Sequence, residues 1–325
     1  MGTPGLRLFW TLLSCGLLVC GGCDSGPPPP LNTTFYHWET ALAPSPAARR
    51  LLDSLACDRL YVKAFDLSRT DGKLRTDAWV EMADTVGLPT LVPVVFITNN
   101  VWRADDHEAE KLATDVIGLV DKLFPAGFPE LQIDCDWTAG TRERYFTFLA
   151  ALREQLPQQE LSCTVRLHQY RDRRQQGVPP VDRGVLMAYN TGNLNDWAET
   201  NSIYDTTVVK AYLAGQPPYP LDLDLAVATY DWAAVYRRER LVHLINEPDF
   251  EQLGDTTRFE RLSPTRYHVD SSTYLNGLYL YAGDLIRTER VEPVSVEAQG
   301  ELLRCYVEPF AGQRLMVYRL GSRLW

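Results

Sequence analysis

The sequence is short of positive charge. Its 325 residues include 32 lysines and arginines against 42 aspartates and glutamates, which gives a formal net charge of −10 at pH 7. Binding to nucleic acid needs a basic surface that displaces counterions from phosphates, and no basic patch is visible here. A positive surface for anionic lipids is missing as well. These absences argue against nucleic acid as a partner and favour a neutral or weakly charged ligand.

Patterns typical of metal and nucleotide sites are also missing. The sequence has only 5 histidines, and neither H-x-H nor H-E-x-x-H occurs in it. None of Cys57, Cys135, Cys163 and Cys305 shows C-x-x-C or other metal-ligand spacing, and the sequence contains no G-x-G-x-x-G fingerprint. We therefore predict neither a metal site nor a cofactor. Cys135 and Cys163 lie within predicted strands, where we expect small buried thiols.

The N-terminus carries an export signal. Arg7 precedes an apolar run over residues 8–19, which is too short for a permanent membrane-spanning helix. Small residues then precede Cys23, an arrangement that resembles a bacterial lipoprotein signal. We expect residues 1–22 to be cleaved, Cys23 to be lipidated and the proline-rich residues 23–31 to form an extended tether. The expected location is the bacterial cell envelope, with a lipid anchor in the membrane; a secreted protein and an uncleaved anchor are the alternatives.

Residues 32–325 alternate between β-rich apolar runs and stretches of helical period, as repeated βα units do. Strands are predicted at residues 34–39, 59–66, 90–97, 130–136, 161–168, 184–190, 221–230 and 314–319. Helices are predicted at residues 45–56, 77–86, 105–124, 141–156, 203–213 and 295–306. Residues 232–291 indicate an insertion of hairpins and loops between strand seven and its helix. This pattern predicts an α/β protein with a (β/α)8 TIM barrel, and an open doubly wound sheet is the alternative.

Acidic, amide and aromatic residues follow most of the predicted strands. In a barrel of this kind the active residues lie at the carboxyl ends of the strands. Asp134 and Asp136 are two residues apart at the end of strand four, so both should point to the same face, where two like charges are costly. The sequence also supplies 8 tryptophans and 16 tyrosines. Rings can stack on sugar faces while carboxylates and amides bind hydroxyls, so this composition predicts a carbohydrate site.

Two segments resemble motifs of the family-18 glycoside hydrolases, the chitinases and their relatives. Residues 131–138, LQIDCDWT, are similar to that family's strand-four motif D-x-x-D-x-D-x-E, with Asp134 and Asp136 at its second and third aspartates. Residues 186–190, LMAYN, resemble the family's strand-six pattern. The resemblance implies a barrel hydrolase in which the N-acetyl group of the substrate attacks and an aspartate steadies it. Thr138 stands where the family has its general-acid glutamate, and threonine cannot supply that proton.

The predicted catalytic residues are Asp134, Asp136 and Tyr189. We expect Asp136 to position or stabilise the reacting group, Asp134 to tune its charge and Tyr189 to bond the substrate. The predicted substrate-binding residues are Glu39, Asp66, Asn99, Trp137, Arg166, His168, Asn190, Tyr230 and Asp231.

The position of Thr138 leaves the source of the proton open. Glu39 and Asp231 are candidates for a relocated acid, and Asp134 and Asp136 are close enough in sequence to share one proton. The leading hypothesis is a glycan-directed glycoside hydrolase. The alternatives are a protein that binds carbohydrate without cleaving it and a structural envelope protein whose pocket is incidental.

Overall fold

The computed structural model describes residues 30–104, 108–291 and 295–321. The predicted signal peptide, Cys23 and the tether up to residue 29 lie outside the described residues. In chain order the first eight strands are β1 (Asn32–His37), β2 (Arg59–Thr70), β3 (Lys73–Asp77), β4 (Thr90–Ile97), β5 (Glu130–Asp134), β6 (Glu160–Arg166), β7 (Arg183–Met187) and β8 (Leu223–Ala228).

Seven further strands follow β8 before the chain returns to the barrel. They are β9 (Asp231–Arg237), β10 (Arg240–Asn246), β11 (Phe259–Ser263), β12 (Arg266–Val269), β13 (Thr273–Leu275), β14 (Leu278–Leu280) and β15 (Leu285–Arg290), and β16 (Arg314–Tyr318) is the last strand. The helices are α1 (Pro46–Ser54), α2 (Ala109–Leu123), α3 (Arg142–Gln155), α4 (Leu167–Arg171), α5 (Arg173–Gln176), α6 (Thr206–Leu213) and α7 (Ser295–Arg304). No helix in the described part of the chain is long and apolar enough to cross a membrane.

Eight of these strands form a closed parallel barrel. Their order is β1-β16-β8-β7-β6-β5-β4-β2, and β1 also pairs with β2, which closes the ring. Between β8 and α7, the inserted strands make a five-stranded antiparallel sheet in the order β10-β9-β15-β12-β11, together with the β13–β14 hairpin. The predicted (β/α)8 barrel, with an insertion after its seventh strand, is therefore confirmed.

Strand β5 shows how the alternation of a strand builds this barrel. Leu131 and Ile133 point outward and pack in the apolar layer beneath the surrounding helices. Glu130, Gln132 and Asp134 point inward at successive heights, where each accepts or donates a hydrogen bond to β6 or β1. Asp134 is the uppermost of the three. The period of two thus delivers one carboxyl group to the mouth of the barrel.

The predicted helix at residues 77–86 is wrong. Instead, β2 continues past the barrel and turns back as the antiparallel strand β3. Asp71 and Gly72 occupy the turn with φ angles of 52° and 74°, the left-handed conformation that an Asp-Gly hairpin adopts. After β3 the chain runs irregularly across the barrel, where the Val80 amide donates to the Ala64 carbonyl.

The predicted fifth barrel strand at residues 161–168 is wrong at its end. Strand β6 stops at Arg166 and helix α4 begins at Leu167, so Arg166 and His168 do not share the face of a strand. The Gln169 side chain causes this early turn: its Oε1 accepts from the Arg166 amide at 2.7 Å and its Nε2 donates to the Trp137 carbonyl at 2.8 Å. Side-chain capping of this kind starts a helix directly.

Candidate functional site

A cavity of about 350 Å³ opens at the carboxyl ends of the barrel strands. We call it the central cavity. Its lining combines aromatic rings, acids and two arginines: Trp38, Phe96, Asp134, Arg166, Met187, Tyr189, Asn190, Tyr230, Asp231, Trp232, Asn246, Glu247, Tyr318 and Arg319. Six of these were predicted from the sequence, namely Asp134, Arg166, Tyr189, Asn190, Tyr230 and Asp231. The location agrees with the rule that barrel sites are built at this face.

Asp134 lies in the floor of the central cavity and is 5 % exposed. Thr164, its neighbour on β6, donates a hydrogen bond to its Oδ1 at 2.7 Å. Burial raises the pKa of the Asp134 carboxyl to about 6; the charge of Arg166 acts against this rise and that of Asp136 adds to it. Asp134 can therefore hold or release a proton near neutral pH, which an ordinary aspartate does not do.

Asp136 is held by an ion pair at the rim. Both oxygens of its carboxylate accept from Arg166: the Nη2–Oδ2 distance is 2.9 Å, and a closer contact joins Nε to Oδ1. The Asp136 side chain is 48 % exposed, whereas that of Arg166 is 22 % exposed. A bidentate pair of this kind fixes the guanidinium plane. Asp136 therefore positions Arg166 between two openings of the barrel mouth, and it does not line the central cavity.

A second opening, of about 480 Å³, lies on the other side of this ion pair. We call it the side depression. It shares Arg166, Met187, Tyr189 and Asn190 with the central cavity and adds Asp136, Thr138, Leu167, His168, Thr191 and Tyr212. Burial lowers the pKa of the His168 imidazole below its usual range. The predicted site residues Asp136 and His168 thus lie beside the central cavity, in a neighbouring opening.

Tyr189 presents a hydroxyl group that forms no hydrogen bond with the described residues. The side chain is 4 % exposed and lines both openings. Burial raises the pKa of the phenol well above its ordinary value, so the group stays protonated. A buried hydroxyl without a partner is costly, because the water it lost is not replaced. A ligand oxygen in the cavity would satisfy this donor.

Aromatic rings wall the central cavity. Tyr318, at the end of β16, stacks on Tyr189 with ring centroids 5.6 Å apart and an interplanar angle of 20°. The rings of Trp38 and Tyr230 form T-shaped contacts with the ring of Tyr318, with centroid distances of 5.6 Å and 5.7 Å. Tyr230 also donates its hydroxyl proton to Asn190 Oδ1 at 2.6 Å. Four strand ends, those of β1, β7, β8 and β16, therefore bring flat apolar surfaces and one oriented amide to a single cavity.

Eight lining residues escaped the sequence-based site prediction: Trp38, Phe96, Met187, Trp232, Asn246, Glu247, Tyr318 and Arg319. Trp38, Tyr318 and Arg319 lie at the ends of β1 and β16, so the strand-end rule could have found them. Asn246 and Glu247 come from the insertion, where β10 returns antiparallel to β9 and sets Asn246 opposite Trp232. The sequence gives no signal for that return, because the pairing depends on the fold of the whole insertion.

Four predicted site residues lie elsewhere. Trp137 is fully buried among helix side chains and donates from Nε1 to the Gln176 carbonyl at 2.9 Å. Asn99 accepts from Thr141 Oγ1 at 2.6 Å behind the rim. Asp66 forms an ion pair with Lys63 at 3.0 Å.

The fourth is Glu39, whose exposed carboxylate pairs with Arg319 at 2.9 Å outside the cavity lining. None of these four side chains lines the central cavity or the side depression, and their role in substrate binding stays a prediction. In each case the side chain either bonds a nearer polar group or packs in the core.

The predicted buried thiols are found, since Cys135 and Cys163 are both fully buried and neither forms a disulfide. One group of possible metal ligands occurs among the described residues. Glu260 on β11, His268 on β12 and Asp270 just after β12 bring their ligand atoms within 4.8 Å of one another. The group lies outside the lining of either opening, and His268 Nδ1 already bonds Asp270 at 2.6 Å.

No protein-family model and no curated protein matches this sequence. The fold, however, is similar to solved structures. A chitinase from Chromobacterium violaceum ATCC 12472 superposes with a TM-score of 0.52 and 13 % identity, over 90 % of this chain and 95 % of that one. The spore cortex-lytic enzyme SleL of Bacillus cereus superposes with a TM-score of 0.51 and 13 % identity, over 92 % of this chain and 73 % of that one.

At this level of identity the likeness concerns the fold, and activity has to be argued from the residues. The likeness to these two structures shows the barrel architecture that the resemblance drawn from residues 131–138 and 186–190 implied. This chain has the eight-stranded parallel barrel of chitinase-like proteins.

Proposed function

We propose that this protein binds a glycan in the central cavity and hydrolyses a glycosidic bond there. One observation carries the proposal: a buried carboxyl with a pKa of about 6, that of Asp134, lies in a cavity walled by the rings of Trp38, Tyr230 and Tyr318. Rings of this kind stack on the apolar faces of sugars. A carboxyl group that is partly protonated near neutral pH is what glycosidic cleavage requires of its acid.

In this proposal Asp134 supplies the proton that the motif's glutamate would otherwise give. The glycosidic oxygen accepts that proton as its bond to the anomeric carbon breaks, so the leaving sugar departs as an alcohol. Positive charge then develops on the sugar ring, and the carboxylates lining the cavity favour it electrostatically. Tyr189, which keeps its proton, donates to a sugar oxygen.

For Asp136 we propose a different role from the one expected from the sequence. Because both of its oxygens accept from Arg166, we assign Asp136 to orienting that guanidinium. Arg166 in turn limits the pKa of Asp134, since a nearby positive charge favours the ionised carboxyl. Asp134 is thus the acid of the site and Asp136 a positioning residue.

The test uses the mature chain with a panel of soluble oligosaccharides. Reducing-end release and isothermal titration measure cleavage and binding separately for the wild type, Asp134→Asn and Asp121→Asn. The last is a matched control on the exposed surface of α2. We expect Asp134→Asn to retain binding and to lose turnover by about 10²- to 10⁴-fold. Wild-type protein that binds no glycan in the panel would overturn the proposal.

A second function, glycan binding without cleavage, has a specific observation in its favour. Thr138 occupies the position of the family's acid, and its hydroxyl lies 3.1 Å from Thr141 Oγ1 in the side depression. On this reading the cavity keeps its sugar-binding wall and lacks catalysis. Binding in the titration with no reducing ends released by wild type would favour it.

We also propose that the chain is exported and held at the cell envelope by lipid on Cys23. The support is the sequence of residues 1–23, an apolar run that ends in small residues before cysteine. Cys23→Ser should move the protein from the membrane fraction to the soluble fraction after export and abolish incorporation of labelled palmitate. An unchanged distribution of the variant would refute the lipid anchor.

A further inference from the structure

A glycosidase that does not use an N-acetyl group of its substrate as the nucleophile needs two carboxyl groups, and the proposed function so far supplies one. In the inverting route, the second carboxylate takes a proton from the water that attacks the opposite face of the sugar ring. Asp136 is engaged by both oxygens with Arg166, and Thr138 carries no carboxyl group. The partner of Asp134 therefore has to come from another element of the cavity wall.

Glu247 lies in that wall and belongs to the insertion. Strand β9 leaves the cavity at Asp231, turns at residues 238–239, and β10 returns to end at Asn246, directly before Glu247. The Glu247 amide donates to the Asp231 carbonyl at 3.0 Å, which fixes its backbone against the start of β9. One oxygen of its carboxylate lies 3.3 Å from Arg319 Nη2, and both side chains line the central cavity.

The backbone of Glu247 is strained. Its φ angle is 47°, in the left-handed region that residues with a Cβ atom rarely adopt. Such a conformation is unfavourable and is kept where the surroundings over-determine it, commonly at functional sites. Asn190, which lines the same cavity, has a φ angle of 54°. Two strained residues thus flank one opening, and in Glu247 the strain accompanies a carboxylate at the cavity surface.

Asp231 is the third acidic residue that lines the central cavity, besides Asp134 and Glu247, and its side chain is more deeply buried than that of Glu247. The Asp231 side chain is 4 % exposed and lies 3.5 Å from Arg290 Nη2. The Glu247 side chain is 18 % exposed, so water reaches it more readily. A base that removes a proton from water must contact that water. The accessible carboxylate is the better candidate, and Asp231 becomes a control.

We propose that Glu247 is the catalytic base that acts with Asp134, so that the insertion completes the active site of the barrel. This inference rests on the proposed function. Glu247 takes a proton from water as the water oxygen bonds to the anomeric carbon. The bond from that carbon to the glycosidic oxygen breaks, and the oxygen receives the proton of Asp134. One water is consumed, and the products are a sugar hemiacetal and an alcohol.

The experiment compares Glu247→Gln, Glu247→Ala and the control Glu251→Gln, an exposed acid on the same insertion. Each is assayed on a glycan that the wild type cleaves, after circular dichroism has established that it folds. We expect both Glu247 variants to lose kcat by about 10²- to 10⁴-fold with KM changed by less than about 5-fold, and the control to match wild type.

Rescue of activity by azide distinguishes a catalytic role of Glu247 from a purely structural one. A small anion can enter the space left by Glu247→Ala and attack the anomeric carbon, which forms a glycosyl azide detectable by mass spectrometry. We expect azide to restore part of the turnover of this variant and none of that of Asp134→Ala on an unactivated glycan.

Two negative results are distinguishable. An active wild type together with unimpaired Glu247 variants would overturn the assignment of Glu247 and leave the proposed hydrolysis standing. Wild type that binds glycans and cleaves none would overturn both. A loss of turnover in Asp231→Asn with none in Glu247→Gln would move the role of base to Asp231.

Discussion

Arg166 holds Asp136 with two hydrogen bonds, and it makes only a longer-range electrostatic contact with Asp134, two residues earlier on the same segment. The two aspartates of the motif thus differ in their surroundings: one is an exposed partner of an arginine, and the other is a buried carboxyl with a pKa of about 6. Two carboxyl groups whose surroundings differ in this way can take different roles in catalysis.

The pH dependence of cleavage should report Asp134. Because its protonated form is the proposed acid, kcat/KM should fall as pH rises above about 6. In Arg166→Met the falling limb should move to higher pH, since the arginine charge that lowers the pKa is gone and the freed Asp136 charge raises it. A limb that stays at the wild-type pH in this variant would show that another group is the acid.

Folding stability should depend on pH through the same group. The folded-state pKa of Asp134, about 6, exceeds the unfolded value near 3.9, so the folded protein binds more protons between these limits and loses stability as pH rises through 6. Asp134→Asn removes this loss. Relative to wild type, its free energy of unfolding should rise by roughly 2 kcal/mol between pH 4 and pH 7.

Urea denaturation across this pH range measures that difference. The contribution of Asp224, whose pKa burial also raises to about 6, is common to both proteins and cancels in the comparison. Asp121→Asn on the exposed surface of α2 should follow wild type at every pH. A constant difference between Asp134→Asn and wild type would contradict the raised pKa.

Removing the hydroxyl of Tyr189 should weaken glycan binding without lowering the stability of the protein. The group forms no hydrogen bond with the described residues, so Tyr189→Phe should leave the melting temperature unchanged or raise it. If the hydroxyl donates to the ligand, glycan affinity should fall by about 3- to 10-fold. Tyr36→Phe is the contrasting control: its hydroxyl donates to Gln132 at 2.7 Å, so that variant should lose stability. Unchanged glycan affinity in Tyr189→Phe would remove Tyr189 from the site.

The aromatic wall can be tested at Trp38, which lines the cavity and lies 5.6 Å from the ring of Tyr318. Trp38→Ala should weaken glycan binding by about 10-fold or more, because a stacking surface is lost. Trp79→Ala is the matched control. Trp79 is 39 % exposed, packs on Phe65 at 4.9 Å and is absent from the lining of the cavity. Equal losses of affinity in the two variants would argue against stacking at Trp38.

Local sequence patterns predicted the barrel because each strand and helix carries its own periodicity. The β4 strand was predicted at residues 90–97 and is found there, and Asp134 was predicted to face the mouth from the alternation of β5. The errors arose where short-range contacts overrode the pattern. The Asp71-Gly72 turn extended β2 into a hairpin, and the Gln169 side chain ended β6 two residues early.

The fold class, the position of the insertion and a set of strand-end residues could all be predicted from the order and period of residues along the chain, and six of those strand-end residues line one cavity. Those features follow from period and order along the chain. The sequence did not predict that Asp136 pairs with Arg166 while Asp134 is buried, or that Glu247 reaches the cavity from the insertion. These contacts join residues about 30 and 70 positions apart, and burial and ion pairing at such separations depend on how the strands close into a barrel.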